Sequence, residues 1–223
     1  TKNNKNSRLS FLSDTKNTFI RKPISMLNRT LKSYWRSKNI VKDLITNKIE
    51  IYHGLSHEIP LGIEKTNIKT IVTIHDLIFI RYPHLFKKID RIIYNHKFKS
   101  ACERADRIIA VSMQTKKDII DFYGIPCEKI IVVYQGCNKI FHRKISEYKK
   151  QAILSKLKLE SGFLLYVGTI EERKNLLTLL YTLKDLPKEK LVVVGNGKDY
   201  KVKCLKYINN NNLFDRVIFL SDL

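Results

Sequence analysis

One segment of the sequence combines a glycine with two adjacent cations. Gly168 follows an apolar run typical of a buried strand, and the segment then opens a helix with Arg173 and Lys174 in its first turn. Glycine lets a ligand approach the backbone, and a helix N-terminus offers unpaired N–H groups to an anion. Cations are unfavourable at that end of a helix unless an anion neutralises them. The pattern therefore indicates a phosphate site, although an exposed basic turn would explain it equally well.

A second pair of glycines, Gly195 and Gly197, follows another strand-like run. Tyr200 stands where a dinucleotide-binding fingerprint requires its third glycine, and the spacing is not that of a Walker loop. The sequence also contains no G-x-S-x-G, H-E-x-x-H or D-x-D motif. These observations exclude the usual forms of dehydrogenases, P-loop NTPases, α/β-hydrolases and zincins.

His75 and Asp76 come directly after a run of β-branched residues. In open parallel sheets, ligands bind beyond the carboxyl ends of the strands, so His75 is a candidate site residue. Taken alone, a histidine at the end of a strand is more often a structural residue whose hydrogen bonds are satisfied within the protein.

The elements that must position these residues alternate between strands and helices. Strands are predicted at 48–52, 68–74, 107–111, 129–134, 163–167, 191–194 and 217–220, and helices at 86–104, 114–123, 147–157, 175–184 and 200–208. This order predicts an α/β fold with parallel sheets. A polar interval near 138–160 predicts two Rossmann-like domains, at 1–140 and 161–223, joined by a linker at 141–160.

The 223 residues carry a formal net charge of +21. This surplus is explained by heavy use of lysine, asparagine and isoleucine together, by an anionic membrane surface, or by nucleic acid. Residues 24–47 form a basic amphipathic pattern, which either lies on a membrane or covers a sheet. No apolar run is long enough to span a bilayer. The four scattered cysteines predict reduced thiols and no structural zinc.

Five segments, in order, carry a resemblance to a known family. They read IYHGLSHEIPL, TIHDLIFIRYP, ADRIIAVSMQTKKDI, YVGTIEERKNL and LVVVGNGKDY. From about residue 49 to its end, the chain resembles retaining glycosyltransferases of family 4, whose two Rossmann-like domains form the GT-B fold. This group includes bacterial mannosyltransferases.

The resemblance assigns roles to the candidate residues. His75 is similar to a catalytic histidine that contacts the transferred sugar. Gly168 resembles the glycine that lets the donor diphosphate approach, and Arg173 and Lys174 resemble the basic pair that neutralises it. Gly195 and Gly197 resemble the loop beside the nucleotide.

Position 169 differs from the pattern of the family, because Thr169 stands where many relatives have arginine. One contact to the donor phosphates is therefore in doubt. With cations at the diphosphate, the resemblance implies a reaction that requires no divalent metal and no cofactor. This agrees with the missing D-x-D motif.

The implied activity is retaining transfer of a hexose, with mannose suggested, from a nucleoside-diphosphate sugar. The acceptor would be a cell-surface glycan or a lipid-linked molecule. The implied location is the cytoplasm, at the inner face of the membrane, with peripheral contact to anionic lipid and no nucleic acid as partner. The alternative interpretation is a non-enzymatic basic Rossmann-like module that binds nucleic acid or an anionic membrane surface.

Parts of the family pattern are absent from the sequence. No opening strand with a glycine-rich acceptor loop precedes residue 49, and no E-x7-E pair of carboxylates follows the last strand. The first domain is thus expected to lack its first strand and the second to be incomplete. The prediction is that the parent protein is an enzyme, whereas this chain alone has little or no activity.

Overall fold

The computed structural model describes residues 35–220, which form two separate parallel sheets. In the first sheet the strands lie side by side in chain order, as do those of the second, and every neighbouring pair is parallel. The predicted α/β class is therefore confirmed. The strands are β1 Ile51–Gly54, β2 Lys69–Ile74, β3 Arg107–Ala110, β4 Ile130–Val132, β5 Leu164–Val167, β6 Leu191–Val194 and β7 Val217–Leu220.

Helices connect most of the strands. Their positions agree with the predicted ones to within two residues at each end. They are α1 Ile40–Thr46, α2 Ile78–Arg81, α3 Lys88–Arg104, α4 Met113–Tyr123, α5 Glu147–Leu157, α6 Leu176–Asp185 and α7 Asp199–Asn210. The short helices α1 and α2 are not among the helices predicted individually, although α1 lies within the amphipathic pattern at 24–47.

Contacts divide the chain into two compact units. Among residues 35–220, one unit contains the residues up to Ile80 together with Ile89–Tyr134, and the other contains Arg81–Lys88 together with the residues from Gln135 onward. The first sheet belongs to the first unit and the second sheet to the second unit. The predicted domain limits, with a linker at 141–160, remain a prediction, and α5 lies within that interval.

Each unit has its own apolar core. Val72 and Ile108 are fully buried in the first unit. In the second unit, Leu176, Leu180 and Leu183 of α6 pack in one cluster with strand β6. The central strand β6 is buried along most of its length, whereas the edge strand β5 alternates between half-buried and exposed residues. This difference is expected, since helices cover both faces of the centre of a parallel sheet.

The amphipathic pattern predicted at 24–47 lies partly outside the described residues, which begin at 35. From there a π-helical turn, Trp35–Asn39, leads into α1, where Val41 and Leu44 are buried. Within residues 35–220, no helix combines the length and the apolar character needed to cross a bilayer.

Asp106 joins the start of β3 to β2. Its carboxylate accepts hydrogen bonds from the Thr70 N–H at 2.7 Å and the Thr70 hydroxyl at 2.9 Å. The bond from the Thr70 backbone N–H is the main reason that the pKa of Asp106 lies below its ordinary value. A lowered carboxyl pKa adds stability above the unfolded-state pKa, and this stability is lost as the pH falls through the folded-state pKa.

We therefore expect Asp106→Asn to lower the free energy of unfolding at pH 7. The deficit should shrink as the pH falls below about 4, the ordinary range of aspartate. Urea unfolding of both proteins at pH 7 and pH 3 measures the effect. A deficit of the same size at both pH values would contradict it.

Candidate functional site

His75 lies immediately after β2, at the carboxyl end of that strand, where the sequence placed it. Its Nε2 atom is 2.9 Å from the Leu55 carbonyl oxygen. Because a carbonyl can only accept, Nε2 must carry the hydrogen of this bond. The His75 carbonyl in turn accepts from the Thr115 hydroxyl at 3.1 Å, which joins this position to the first turn of α4. His75 is thus held from two sides.

A second histidine, which is not among the residues predicted for the site, packs against the first. The ring centroids of His57 and His75 are 5.1 Å apart in an edge-to-face arrangement. The His57 ring also stacks in parallel on the ring of Phe98 in α3, with centroids 4.1 Å apart. Burial, with a smaller contribution from His75, lowers the pKa of His57 to about 4. The sequence offered one signal for this residue, its place in the segment IYHGLSHEIPL.

In the second unit, the loops after β5 and β6 interlock. Gly168 donates its N–H to the Val194 carbonyl, and Ile170 donates to the Asn196 carbonyl at 2.8 Å. A Cβ on Gly195 would lie 2.0 Å from the Gly168 oxygen, and one on Gly197 would lie 2.2 Å from the Ile170 oxygen. The structure therefore brings the predicted glycines together. It also gives Gly195 and Gly197 a packing reason for being glycine that requires no nucleotide.

Gly168 differs from the other two glycines. Its φ of 152° is one that side chains rarely adopt, yet a Cβ there would meet nothing within 4 Å. Gly168 therefore has open space beside it at the carboxyl end of β5. This is the position at which a ligand could approach the backbone.

The predicted location of the two cations in the first turn of a helix is wrong. Arg173 and Lys174 belong to a short 3-10 turn, Glu172–Lys174, and α6 begins at Leu176. Asn175 separates the two elements with a φ of 52°. A left-handed residue interrupts the path of a right-handed helix, so the cations precede α6 and lie outside it.

The two cations also differ in their surroundings. Arg173 forms an ion pair with Glu171, and both side chains are about one-third exposed. Lys174 is exposed, and within residues 35–220 its ammonium group has neither an ion-pair nor a hydrogen-bond partner. Lys174 is therefore the cation that can meet an anion without first giving up a carboxylate.

The N-terminus of α6 is less open than the sequence indicated. The Leu177 N–H donates to the Tyr200 hydroxyl at 3.1 Å, and the Thr178 N–H donates to the Asn175 carbonyl. Tyr200 stands where a dinucleotide-binding fingerprint would have its third glycine, and from α7 its hydroxyl caps the N-terminus of α6. An anion would therefore be held mainly by the side chains of the preceding turn.

The family model for Glycosyltransferase Family 4 matches residues 7–139, which is more than half of the chain. The chain belongs to glycosyltransferase family 4. The matched range includes His75 and ends before Gly168. The resemblance of the sequence motifs to glycosyltransferase family 4 is thereby confirmed, and the alternative of a non-enzymatic binding module is not favoured.

A curated relative points to the same group. The chain is 30% identical over 141 residues to O-antigen chain mannosyltransferase B of Escherichia coli. The match covers 62% of this chain but 35% of the relative, so the chain corresponds to about one-third of that protein.

Solved structures confirm the GT-B fold. A glycosyltransferase from Rickettsia africae superposes with a TM-score of 0.63 at 16% identity, covering 92% of this chain and 54% of that one. The HepE protein of Anabaena, solved in complex with UDP-glucose, has a TM-score of 0.60 at 18% identity, covering 83% and 51%. At these identities the likeness shows the fold alone.

Proposed function

We propose that the protein transfers a hexose from a nucleoside-diphosphate sugar to a glycan acceptor, with mannose as the first candidate. The observation that carries this proposal is the loop from Gly168 to Lys174, with open backbone at one end and an exposed cation at the other, in a chain of family 4. The E. coli relative is named a mannosyltransferase, and HepE was solved with UDP-glucose. The first name supports mannose as the transferred sugar, and the second supports a donor that carries a nucleoside diphosphate.

The chemistry of the donor explains why cations belong at this loop. When the bond between the anomeric carbon and the phosphate oxygen breaks, negative charge grows on the departing diphosphate. A cation beside the diphosphate stabilises the transition state more than the ground state, and this difference raises the rate. Lys174 would do this directly, whereas Arg173 would first exchange the carboxylate of Glu171 for a phosphate oxygen. In this proposal the two side chains supply the charge that a divalent metal supplies elsewhere.

In this proposal His75 orients the transferred sugar. The hydrogen on its Nε2 atom is donated to the Leu55 carbonyl, so His75 would not act as an acid through that atom. The proposed transfer proceeds with retention: the acceptor hydroxyl attacks from the face that the diphosphate leaves, and a phosphate oxygen takes its proton. The acceptor would be a cell-surface glycan or a lipid-linked molecule, used at the cytoplasmic face of the membrane with peripheral contact to anionic lipid.

Binding and transfer can be tested separately on the 223-residue chain. Isothermal titration calorimetry with UDP-glucose and with mannose-carrying nucleoside diphosphates should show saturable binding of at least one donor. The absence of binding by every donor, together with salt-dependent retention on DNA, would overturn the proposal.

Release of nucleoside diphosphate from the same samples tests the separate prediction that this chain alone has little or no transfer activity. Robust turnover would contradict that prediction.

A further inference from the structure

The segment from Gly54 to Glu58 is hydrogen-bonded to the carboxyl end of β2 and to His75, which follows it. A Cβ on Gly54 would lie 2.1 Å from the Glu58 carbonyl oxygen, so the chain folds closely back on itself here. The His57 N–H donates to the Thr73 carbonyl at 3.0 Å. This bond holds the segment where the Leu55 carbonyl can accept from the His75 ring. The segment and His75 are thus one hydrogen-bonded arrangement.

Within this segment, His57 has an unfavourable backbone conformation and an unsatisfied ring nitrogen. Its φ of 61° lies in the left-handed region, which a residue with a Cβ rarely adopts. Its Nδ1 atom is buried and has no hydrogen-bond partner among residues 35–220. Both features cost free energy, and strained residues of this kind cluster at functional sites. The ring is nevertheless well packed, since its plane is within 3° of that of Phe98.

We propose that His57 is a positioning residue for His75, holding the plane of the His75 ring and, with the Leu55 carbonyl, its Nε2-protonated form. This inference rests on the proposed function, in which His75 meets the transferred sugar. The His57 ring covers one side of His75 at an interplanar angle of 64°, and Phe98 prevents it from turning away. Its backbone N–H keeps the Leu55 carbonyl in place.

The charges around His57 are compatible with this role. The ionisable groups that act on it are His75 and Asp76, after β2, and Glu58, its neighbour in the segment. Glu58 is engaged by Lys97 of α3 at 2.8 Å and by Arg36 at 3.6 Å. Because burial lowers the pKa of His57 to about 4, its imidazole is neutral at neutral pH and does not repel a proton on His75.

The test is a measurement of the tautomer of His75 by NMR in the ¹⁵N-histidine-labelled chain, without substrate. In the wild type we expect His75 in a single Nε2-protonated form. In His57→Asn, where asparagine tolerates a left-handed backbone, we expect that single form to be replaced by a mixture. Phe98→Leu, which removes the stack and keeps His57, should produce a smaller shift in the same direction. His96→Asn, an exposed histidine on α3, is the control and should change nothing at His75.

Two results would overturn the inference. One is a wild-type His75 that is protonated on Nδ1 or already a mixture, a result that requires no variant to fold. The other is a folded His57→Asn protein in which His75 keeps its single form. Failure of the proposed function would appear as the absence of donor binding in the calorimetric titration. The tautomer of His75 is measured without a donor, so the two failures can be told apart.

If donors bind, His57→Asn should also shrink the affinity difference between UDP-glucose and UDP. The affinity for UDP alone should stay unchanged, because His75 is assigned to the sugar. A loss of affinity that is equal for both ligands would contradict the positioning role.

Discussion

Lys174→Ala is expected to weaken the binding of UDP-glucose, or of whichever nucleoside-diphosphate sugar binds best, by about tenfold to a hundredfold. A charge-assisted hydrogen bond to phosphate contributes about 1.5–3 kcal/mol, and each 1.4 kcal/mol corresponds to about a tenfold change in affinity. Lys174 has no competing partner among the described residues, so the whole of this contribution should be lost. Isothermal titration calorimetry at low ionic strength measures it.

Arg173 provides a matched comparison. Since Arg173 is paired with Glu171, Arg173→Ala should weaken donor binding less than Lys174→Ala does. Glu171→Gln should strengthen donor binding, because it releases Arg173 from its carboxylate. Lys184→Ala, an exposed lysine in the last turn of α6, serves as the control and should leave the affinity unchanged. Equal donor binding by wild type, Lys174→Ala and the double variant with Arg173→Ala would remove the phosphate role of this loop.

Gly195→Ala is expected to lower the free energy of unfolding of the second unit by about 3 kcal/mol or more. The added Cβ would lie 2.0 Å from the carbonyl oxygen of Gly168, so two backbone segments would have to move apart. The φ of Gly195, 149°, adds strain for any residue with a side chain. Urea unfolding of the variant and of the wild type, followed by circular dichroism, measures the loss.

Gly162→Ala is the control that separates the steric clash of the added Cβ from the backbone strain. Gly162 also has a positive φ, 85°, but a Cβ there would meet nothing within 4 Å. Its substitution should therefore cost only the backbone strain, about 1–2 kcal/mol. If Gly195→Ala destabilised the protein no more than Gly162→Ala does, the close contact between the loops of Gly195 and Gly168 would be contradicted.

The prediction of the elements succeeded where local signals were strong. The strands at 191–194 and 217–220 and the helix at 147–157 have the predicted limits. The helix that ends before Gly124 does so because this glycine adopts a left-handed conformation, which its type already indicated. By contrast, the strand predicted at 48–52 forms at Ile51–Gly54, since its limits depend on pairing with β2, where Ile51 lies opposite Lys69.

The sequence by itself determined the alternation of strands and helices, and hence the parallel α/β class, together with five motifs specific enough to indicate the family. Periodicity and turn residues act between near neighbours, so they can be read along the chain. Only the tertiary structure decided that Gly195 packs on Gly168, that His57 packs on His75, and that Asn175 places Arg173 and Lys174 before the helix. The first two contacts depend on which loops meet at the end of a sheet. The third depends on one backbone angle that the order of residue types leaves open.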